Sequence, residues 1–303
     1  MGAADPFGKL RACFSRRGWL YHGLRERLVT LRLGWFSSGR GPGSRRLLAT
    51  VHDEIAAGRL DASIAFVFCN REPGQDPQTD LFLEQARGYG LPLVCLSSLR
   101  FRRELGESPA RPGEPLPEWR RDFDREVIRL LEPYPFDIGM LAGYMLIATE
   151  LLCERYDLLN LHPAAPDGPA GTWQEVIWRL IEQRAGHSGV RIHLATTELD
   201  MGPPVTYCVY PLRGAAVDPL WRDVERRGVA AVRAEDGEEN TLFREIRRLG
   251  VARELPLVVE TLRAFAERRV SVRDKRVVDA AGRQIAGYDL TDKIERIVAQ
   301  AQG

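Results

Sequence analysis

The sequence predicts an α/β protein built on a mostly parallel, doubly wound, Rossmann-like sheet, and three observations lead there. Short runs rich in Val, Ile and Leu alternate with stretches whose apolar residues fall three and four apart, the strand–helix–strand repetition that gives parallel sheets with right-handed crossovers. Gly and Pro punctuate the junctions. Polar residues able to do chemistry follow directly on apolar runs, at the carboxyl ends of strands, where open α/β sheets bind their ligands.

Along the chain, LVTLRLGWF (28–36) predicts the first strand, which enters the Gly-rich turn SSGRGPGSRR (37–46). Helical spacing follows over 46–58, then a second strand, ASIAFVFCN (62–70). DLFLEQARGYG (80–90) predicts a helix ending on Gly, and LPLVCLSS (91–98) a third strand. Pro and Gly make 106–117 a loop, before an amphipathic helix over 117–134. FDIGMLAGY (136–144), YDLLNLHP (156–163) and VRIHLATTEL (190–199) predict strands four to six; Trp173 and Trp178 flank an intervening helix as core residues. Residues 214–240 are mixed, 241–269 predict one or two helices, and 270–290 a β-hairpin turning at Ala281–Gly282. The expected organisation is a basic extension (1–27), a principal α/β domain (28–213), and a C-terminal helix-and-hairpin extension (214–303) packed on the core.

The chain has 303 residues, 44% hydrophobic and 28% charged, enough apolar content for a large buried core. A net charge of +1 gives no overall bias toward nucleic acid or membrane, so neither is an expected partner. The charge is uneven: ten Lys/Arg precede residue 47 against Asp5 and Glu26, which reads as a solvated basic leader. Cys13, Cys69, Cys95, Cys153 and Cys208 lack metal-binding spacing; they read as buried thiols of a reducing compartment, and no metal is expected. No apolar run reaches the roughly 18 residues of a membrane span, and residues 1–30 lack a signal-peptide core. The expected location is the cytoplasm.

Three polar residues carry the candidate chemistry. Asn160 and His162 end the fifth predicted strand, and Asp200 follows the sixth. Imidazole suits proton transfer near neutrality, an amide N–H can donate to a carbonyl oxygen gaining charge, and a nearby carboxylate stabilises an imidazolium. Together, beside an open cleft, they would serve acyl transfer to an amine; singly, each is commonly structural. His193 alternates with apolar residues and faces one side of its strand. In the Gly-rich turn, backbone N–H groups and a helix N-terminus, with Arg40, Arg45 and Arg46, favour a phosphate. The turn lacks the Gly-Lys-Ser/Thr ending of a P-loop, and Ser44 stands where G-x-G-x-x-G has its last Gly.

The segments DIGMLAGYM, LLNLHPA and GVRIHLATTELDMGPPV, in this order and at these intervals, resemble the folate-dependent formyltransferases, in particular the phosphoribosylglycinamide branch of purine synthesis. The likeness runs over residues 28–212, and more loosely to about 270. It implies that Asn160 contacts the formyl oxygen, that His162 is the catalytic imidazole, and that Asp200 raises the His162 pKa and holds water. Met145, Leu146, Ile147 and Ala148 would bond the pterin through their backbone, with Thr196, Thr197, Glu198, Leu199 and Asp200 closing over it and Arg120 near the formyl-folate. Gly41, Gly43, Ser44 and Arg45 would hold the substrate phosphate. The implied reaction moves a formyl group from 10-formyltetrahydrofolate to a small phosphorylated amine, glycinamide ribonucleotide, without metal. Another amine (a nucleotide amino sugar or an aminoacyl-tRNA), or a non-catalytic or hydrolytic folate-binding role, is the alternative. AAPDGPAG replaces the usual Ser-Leu-Leu-Pro after His-Pro, Arg45 replaces an Asn, Leu146 stands in for a basic residue, Pro42 removes a backbone donor, and Glu254 is the candidate acid toward the amine. Sequence alone leaves oligomeric state open.

Overall fold

The computed structural model describes residues 30–109 and 114–302; the basic extension and Cys13 lie outside them. An eight-stranded sheet organises the chain, and its parallel part alternates with helices in order: β1 (Leu31–Ser37), α1 (Pro42–Ala56), β2 (Ala62–Cys69), α2 (Pro77–Gly88), β3 (Leu93–Cys95), α3 (Ser98–Glu104), α4 (Trp119–Leu131), β4 (Ile138–Leu141), α5 (Glu150–Arg155) and β5 (Leu158–His162). After α6 (Trp173–Glu182), β6 (His187–Leu194) and β7 (Pro204–Pro211) run antiparallel. The C-terminal part holds α7 (Asp218–Arg227), α8 (Val229–Glu235), α9 (Thr241–Ala266), a separate hairpin of β8 (Val270–Arg273) and β9 (Arg276–Asp279), then β10 (Tyr288–Asp289) and α10 (Thr291–Gln302). The sheet order is β10-β7-β6-β5-β4-β1-β2-β3, so β10 returns from the C-terminal part to pair parallel with β7.

Local chemistry explains the helix starts. Asp76 caps α2 by accepting from the Gln78 and Thr79 amides, Asn240 caps α9 through Leu242 and Phe243, and Thr172 with Glu175 forms a reciprocal capping box on α6. Pro42 opens α1 at a position that needs no N–H donor. The predicted turn 37–46 is therefore shorter than expected: Gly43, Ser44 and Arg45 belong to the first turn of α1. α9 continues through Pro256 because Leu257, Val258, Leu262 and Phe265 beyond it are buried against the sheet, offsetting one lost backbone bond.

One apolar cluster joins Leu33 and Trp35 of β1 to Leu257 of α9 and Ile294 of α10; another packs Phe36, Phe66 and Phe68 under α4 and α5 on the opposite face. Both faces of the parallel strands are covered, which is why those strands read as continuous apolar runs. Strand order reverses at β1, whose neighbours are β2 and β4, so the loops leaving β1 and β4 meet. The Ser38 amide donates to the Gly143 carbonyl at 3.0 Å, and the Met145 amide donates to Ser38 Oγ at 2.8 Å. Among the described residues, no helix is long and apolar enough to cross a membrane.

Candidate active site

β5 ends on Asn160 and His162, whose side chains share one face because strand residues two apart do so. β6 lies antiparallel beside it, with His193 opposite Asn160 and Arg191 opposite His162. Asn160 Nδ2 lies 3.2 Å from His193 Nε2 and 3.4 Å from Asp200 Oδ1. His162 Nδ1 is 3.6 Å from Asp200 Oδ2, and His193 Nε2 is 3.7 Å from Asp200 Oδ1, longer than hydrogen bonds and ion pairs only when the imidazole is protonated. The amide, imidazole and carboxylate, far apart in sequence, thus converge with a second imidazole.

Asp200 does not stand at a strand exit. β6 ends at Leu194, and the chain loops back over the sheet face, its neck closed by the Leu194 amide donating to Pro203 O at 3.0 Å. Asp200 has φ +58°, a left-handed conformation that costs a non-glycine residue energy and must be held by its surroundings. Arg191 holds it: Nη2 donates to Asp200 O at 2.8 Å while Nη1 donates to Ala165 O.

His162 Nε2 donates to the Pro169 carbonyl at 2.9 Å, which fixes the proton on that nitrogen. Burial pushes the His162 imidazole below its ordinary value; the Pro169 carbonyl and Asp200 pull it up, Arg191 and His193 push it further down, and the net direction is down. The upward pull expected of Asp200 exists, but burial outweighs it. Burial alone would raise Asp200, yet His193, His162 and the Gly171 amide leave its carboxyl below the ordinary value. Both shifts act on stability with one sign. A folded His162 binds its proton more weakly than the unfolded chain does, so stability falls as pH drops below the ordinary 6.5, and Asp200 adds a second loss below 3.8. Denaturation midpoints should therefore decline on acidification from neutrality, and His162→Gln should remove the first decline; an identical profile in that variant would clear His162 of causing it.

The segment 145–149 follows β4, whose last residue Leu141 pairs with Asn160, and is pinned at three points. Ser38 Oγ takes the Met145 amide, Arg120 Nη2 donates to Ile147 O at 2.8 Å, and Asp124 Oδ2 accepts the Thr149 amide at 2.8 Å. Arg120 is 2% exposed, 3.6 Å from Asp124 and 5.1 Å from the Trp119 ring centre, so it braces this backbone from beneath. Met145 and Ile147 are exposed, Leu146 half-buried and Ala148 buried. In the loop after β6, Thr197, Glu198 and Leu199 are exposed, Thr196 is half-buried with Oγ1 donating to Glu198 O, and Met201 is exposed. Two cavities, of about 330 and 240 Å³, open beside Met145 and Leu146; Arg120 and Trp119 line the first, Ser38, Arg40 and Asn70 the second. Asn160, His162 and Asp200 line neither, contrary to the expected shared cleft: the Pro169 carbonyl covers the His162 ring, and only Asn160 is half-buried.

At the start of α1 no side chain caps the helix and no acid sits in its first turn. A Cβ on Gly41 or Gly43 would meet nothing within 4 Å. Ser44 is buried, its Oγ 2.6 Å from where a Cβ of Gly143 would sit, and Arg45 is occupied by Gln78 Oε1 at 2.9 Å. Glu254 pairs with Arg247 at 2.6 Å. Burial pushes the Cys69 and Cys208 thiols up to about 12 and those of Cys95 and Cys153 to about 11, so none is a thiolate nucleophile near neutrality. Arg191 escaped the sequence reading, although its place two residues before His193 in the alternation VRIHL puts it on the same face.

The sequence profile of the formyl transferase family matches residues 40–212, more than half of the chain. The chain belongs to the formyl transferase family. Within the family it is similar to phosphoribosylglycinamide formyltransferase of Escherichia coli, at 26% identity over 168 residues, 54% of this chain and 68% of that protein. Its fold is similar to the structure of phosphoribosylglycinamide formyltransferase from Coxiella burnetii (TM-score 0.58, 20% identity, 86% of this chain and 99% of that one). It is also similar to a formyltetrahydrofolate deformylase from Pseudomonas syringae (TM-score 0.52, 20% identity, 83% and 66%). The mostly parallel sheet matches these neighbours, and the C-terminal part of this chain holds the β8–β9 hairpin and α10.

Proposed function

We propose that this protein transfers the formyl group of 10-formyltetrahydrofolate to the amine of glycinamide ribonucleotide. The observation that carries the reading is the convergence of Asn160, His162 and Asp200 at the strand next to β4, whose exit leads into residues 145–148; the exposed Met145, Ile147, Leu199 and Met201 offer apolar cover for a flat ring. The pterin lies along residues 145–148, with 196–199 closing over it. The amine attacks the formyl carbon, a C–N bond forms, and the carbonyl π pair moves onto oxygen. Asn160 Nδ2–H and His162 Nε2–H donate to that oxyanion. The Pro169 carbonyl now accepts the His162 hydrogen, so the formyl oxygen takes its place when the loop 163–171 gives way. As the tetrahedral carbon collapses, the bond to the folate nitrogen breaks. The proton lost by the amine ends on that nitrogen, with Asp200 and His162 as the titratable groups within reach. No metal enters this scheme, and holding both reactants in line supplies much of the acceleration.

The uncapped first turn of α1, at Gly41 and Gly43, takes the acceptor's phosphate. One observation favours a second reading, another primary amine such as a nucleotide amino sugar or an aminoacyl-tRNA: Ser44 is buried and Arg45 already bound, which leaves less of this turn for a phosphate. A screen of acceptors with labelled formyl-folate decides between them. Tetrahydrofolate release that depends on glycinamide ribonucleotide is the expected result. Release with a different amine alone selects the second reading, and release with no amine present makes the protein a hydrolase.

A further inference from the structure

β6 carries an arginine at a position facing inward. Arg191 is 4% exposed, stands opposite His162 in the strand register, and donates to two main-chain carbonyls on different loops, Ala165 O and Asp200 O. An arginine keeps its charge even when buried, so the site holds a permanent cation beside two imidazoles. We infer that Arg191 is a positioning residue for this site: a fixed cation that clamps the loop after His162 to the left-handed Asp200 and competes with the His162 imidazolium as the cation beside that residue.

The clamp follows from geometry. The loop 163–171 leaves β5 directly after His162 and carries Pro169, the partner of the imidazole. The loop 195–203 carries Asp200, whose positive φ needs an external hold. One planar guanidinium reaches both, a role that a lysine's single ammonium cannot fill with the same geometry. The competition follows from counting charges around His162. Asp200 faces it from the loop 195–203, Arg191 and His193 from β6, the neutral Asn160 from its own strand, and the Pro169 carbonyl from the loop after it. Arg191 reaches Asp200 through the main-chain oxygen while both imidazoles approach its carboxylate, so a permanent cation and two titratable rings surround one acid. The downward direction found for His162, with Arg191 among its causes, agrees. The consequence for chemistry rests on the formyl-transfer reading: His162 works as a neutral imidazole that donates through Nε2. The clamp and the charge competition do not depend on that reading.

The test is an NMR titration of nitrogen-labelled histidine in the whole protein, with the His162 signal assigned by its loss in His162→Gln, alongside formyl-folate turnover. In Arg191→Met the His162 midpoint should move to higher pH, and in Arg191→Lys, which keeps the charge, it should stay near that of the unaltered protein. Turnover should fall roughly 10²-fold in both, because both lose the fork that sets the two loops. Should Arg191→Met not fold, Arg191→Gln provides the same test: it also removes the cation, and the His162 midpoint should rise. An unmoved midpoint in a folded Arg191→Met or Arg191→Gln overturns the competition, and full turnover in Arg191→Lys overturns the clamp. Midpoints that move as stated in a protein that turns over no formyl-folate support the competition and reject the formyl-transfer reading instead.

Discussion

His162→Ala should lower formyl transfer by roughly 10²–10⁴-fold, the range a positioned proton donor or acceptor contributes, while the protein still unfolds in one cooperative transition. The two halves of this expectation have separate causes. Chemically, the variant loses the Nε2 hydrogen, which no neighbour replaces: His193 Nε2 faces Asn160 and Asp200, and the Arg191 guanidinium is held by two carbonyls. Structurally, the change removes one hydrogen bond and leaves the Pro169 carbonyl short of a donor, a loss of about 1–3 kcal/mol. β5 itself is secured by its ladders to β4 and β6, which do not involve the ring. Asn160→Ala should cost about 10²–10³-fold, the loss of one oxyanion donor, and the double variant little more than His162→Ala, since groups that act on one transition state do not add. Initial rates of tetrahydrofolate release and a urea unfolding curve check both halves. Transfer at the unaltered rate in a folded His162→Ala would remove the imidazole from the mechanism.

What could be read from sequence divides along physical lines. The parallel core was legible because strands covered on both faces read as apolar runs, and Asn160 and His162 were legible because polar residues interrupt such a run at its exit. Where tertiary structure overrides local pattern, the reading slipped. α3 and α5, at seven and six residues, are too short to show helical periodicity, and α10 and β7 went unmarked. β7 hides behind Pro203 and Pro204, which read as a break, although a proline at the first position of a strand disrupts little of the ladder. Both β6 and the hairpin were displaced. β6 spans His187–Leu194, so residues 195–199 form a loop, and the β8–β9 turn falls at Asp274–Lys275, with φ +49° and +59°, before Ala281–Gly282. A turn of that type usually draws Asn or Gly, so the Ala-Gly pair gave the louder signal and marks only a second bend, where Val278 bridges Gln284. Most instructive is Asp200. Its identity was readable, but its delivery to His162 through a left-handed residue held by a buried arginine is a property of the folded loop, and no local pattern encodes it.

Gly202→Ala should be the most damaging small substitution in this loop, although Gly202 touches no substrate. A Cβ built there would lie 1.7 Å from the Leu194 carbonyl oxygen and 2.9 Å from its carbon. These are main-chain atoms of a buried strand, so no side chain can turn aside to make room. Leu194 is also the residue whose amide closes the loop neck on Pro203. The methyl group must open that neck, and the neck fixes where residues 195–201 run over the sheet. A displacement of about an ångström at reacting groups is enough for a loss on the order of 10²-fold, and here the displaced group is Asp200. The expected result is near-complete loss of transfer together with destabilisation beyond about 4 kcal/mol, the size that marks a backbone conflict. Gly186→Ala is the matched control: it precedes the same strand, a Cβ there would meet nothing within 4 Å, and its effect should stay within about 0.5 kcal/mol. If the two variants unfold at the same urea concentration and transfer formyl at the same rate, the loop does not depend on its neck, and Asp200 is placed by some other contact.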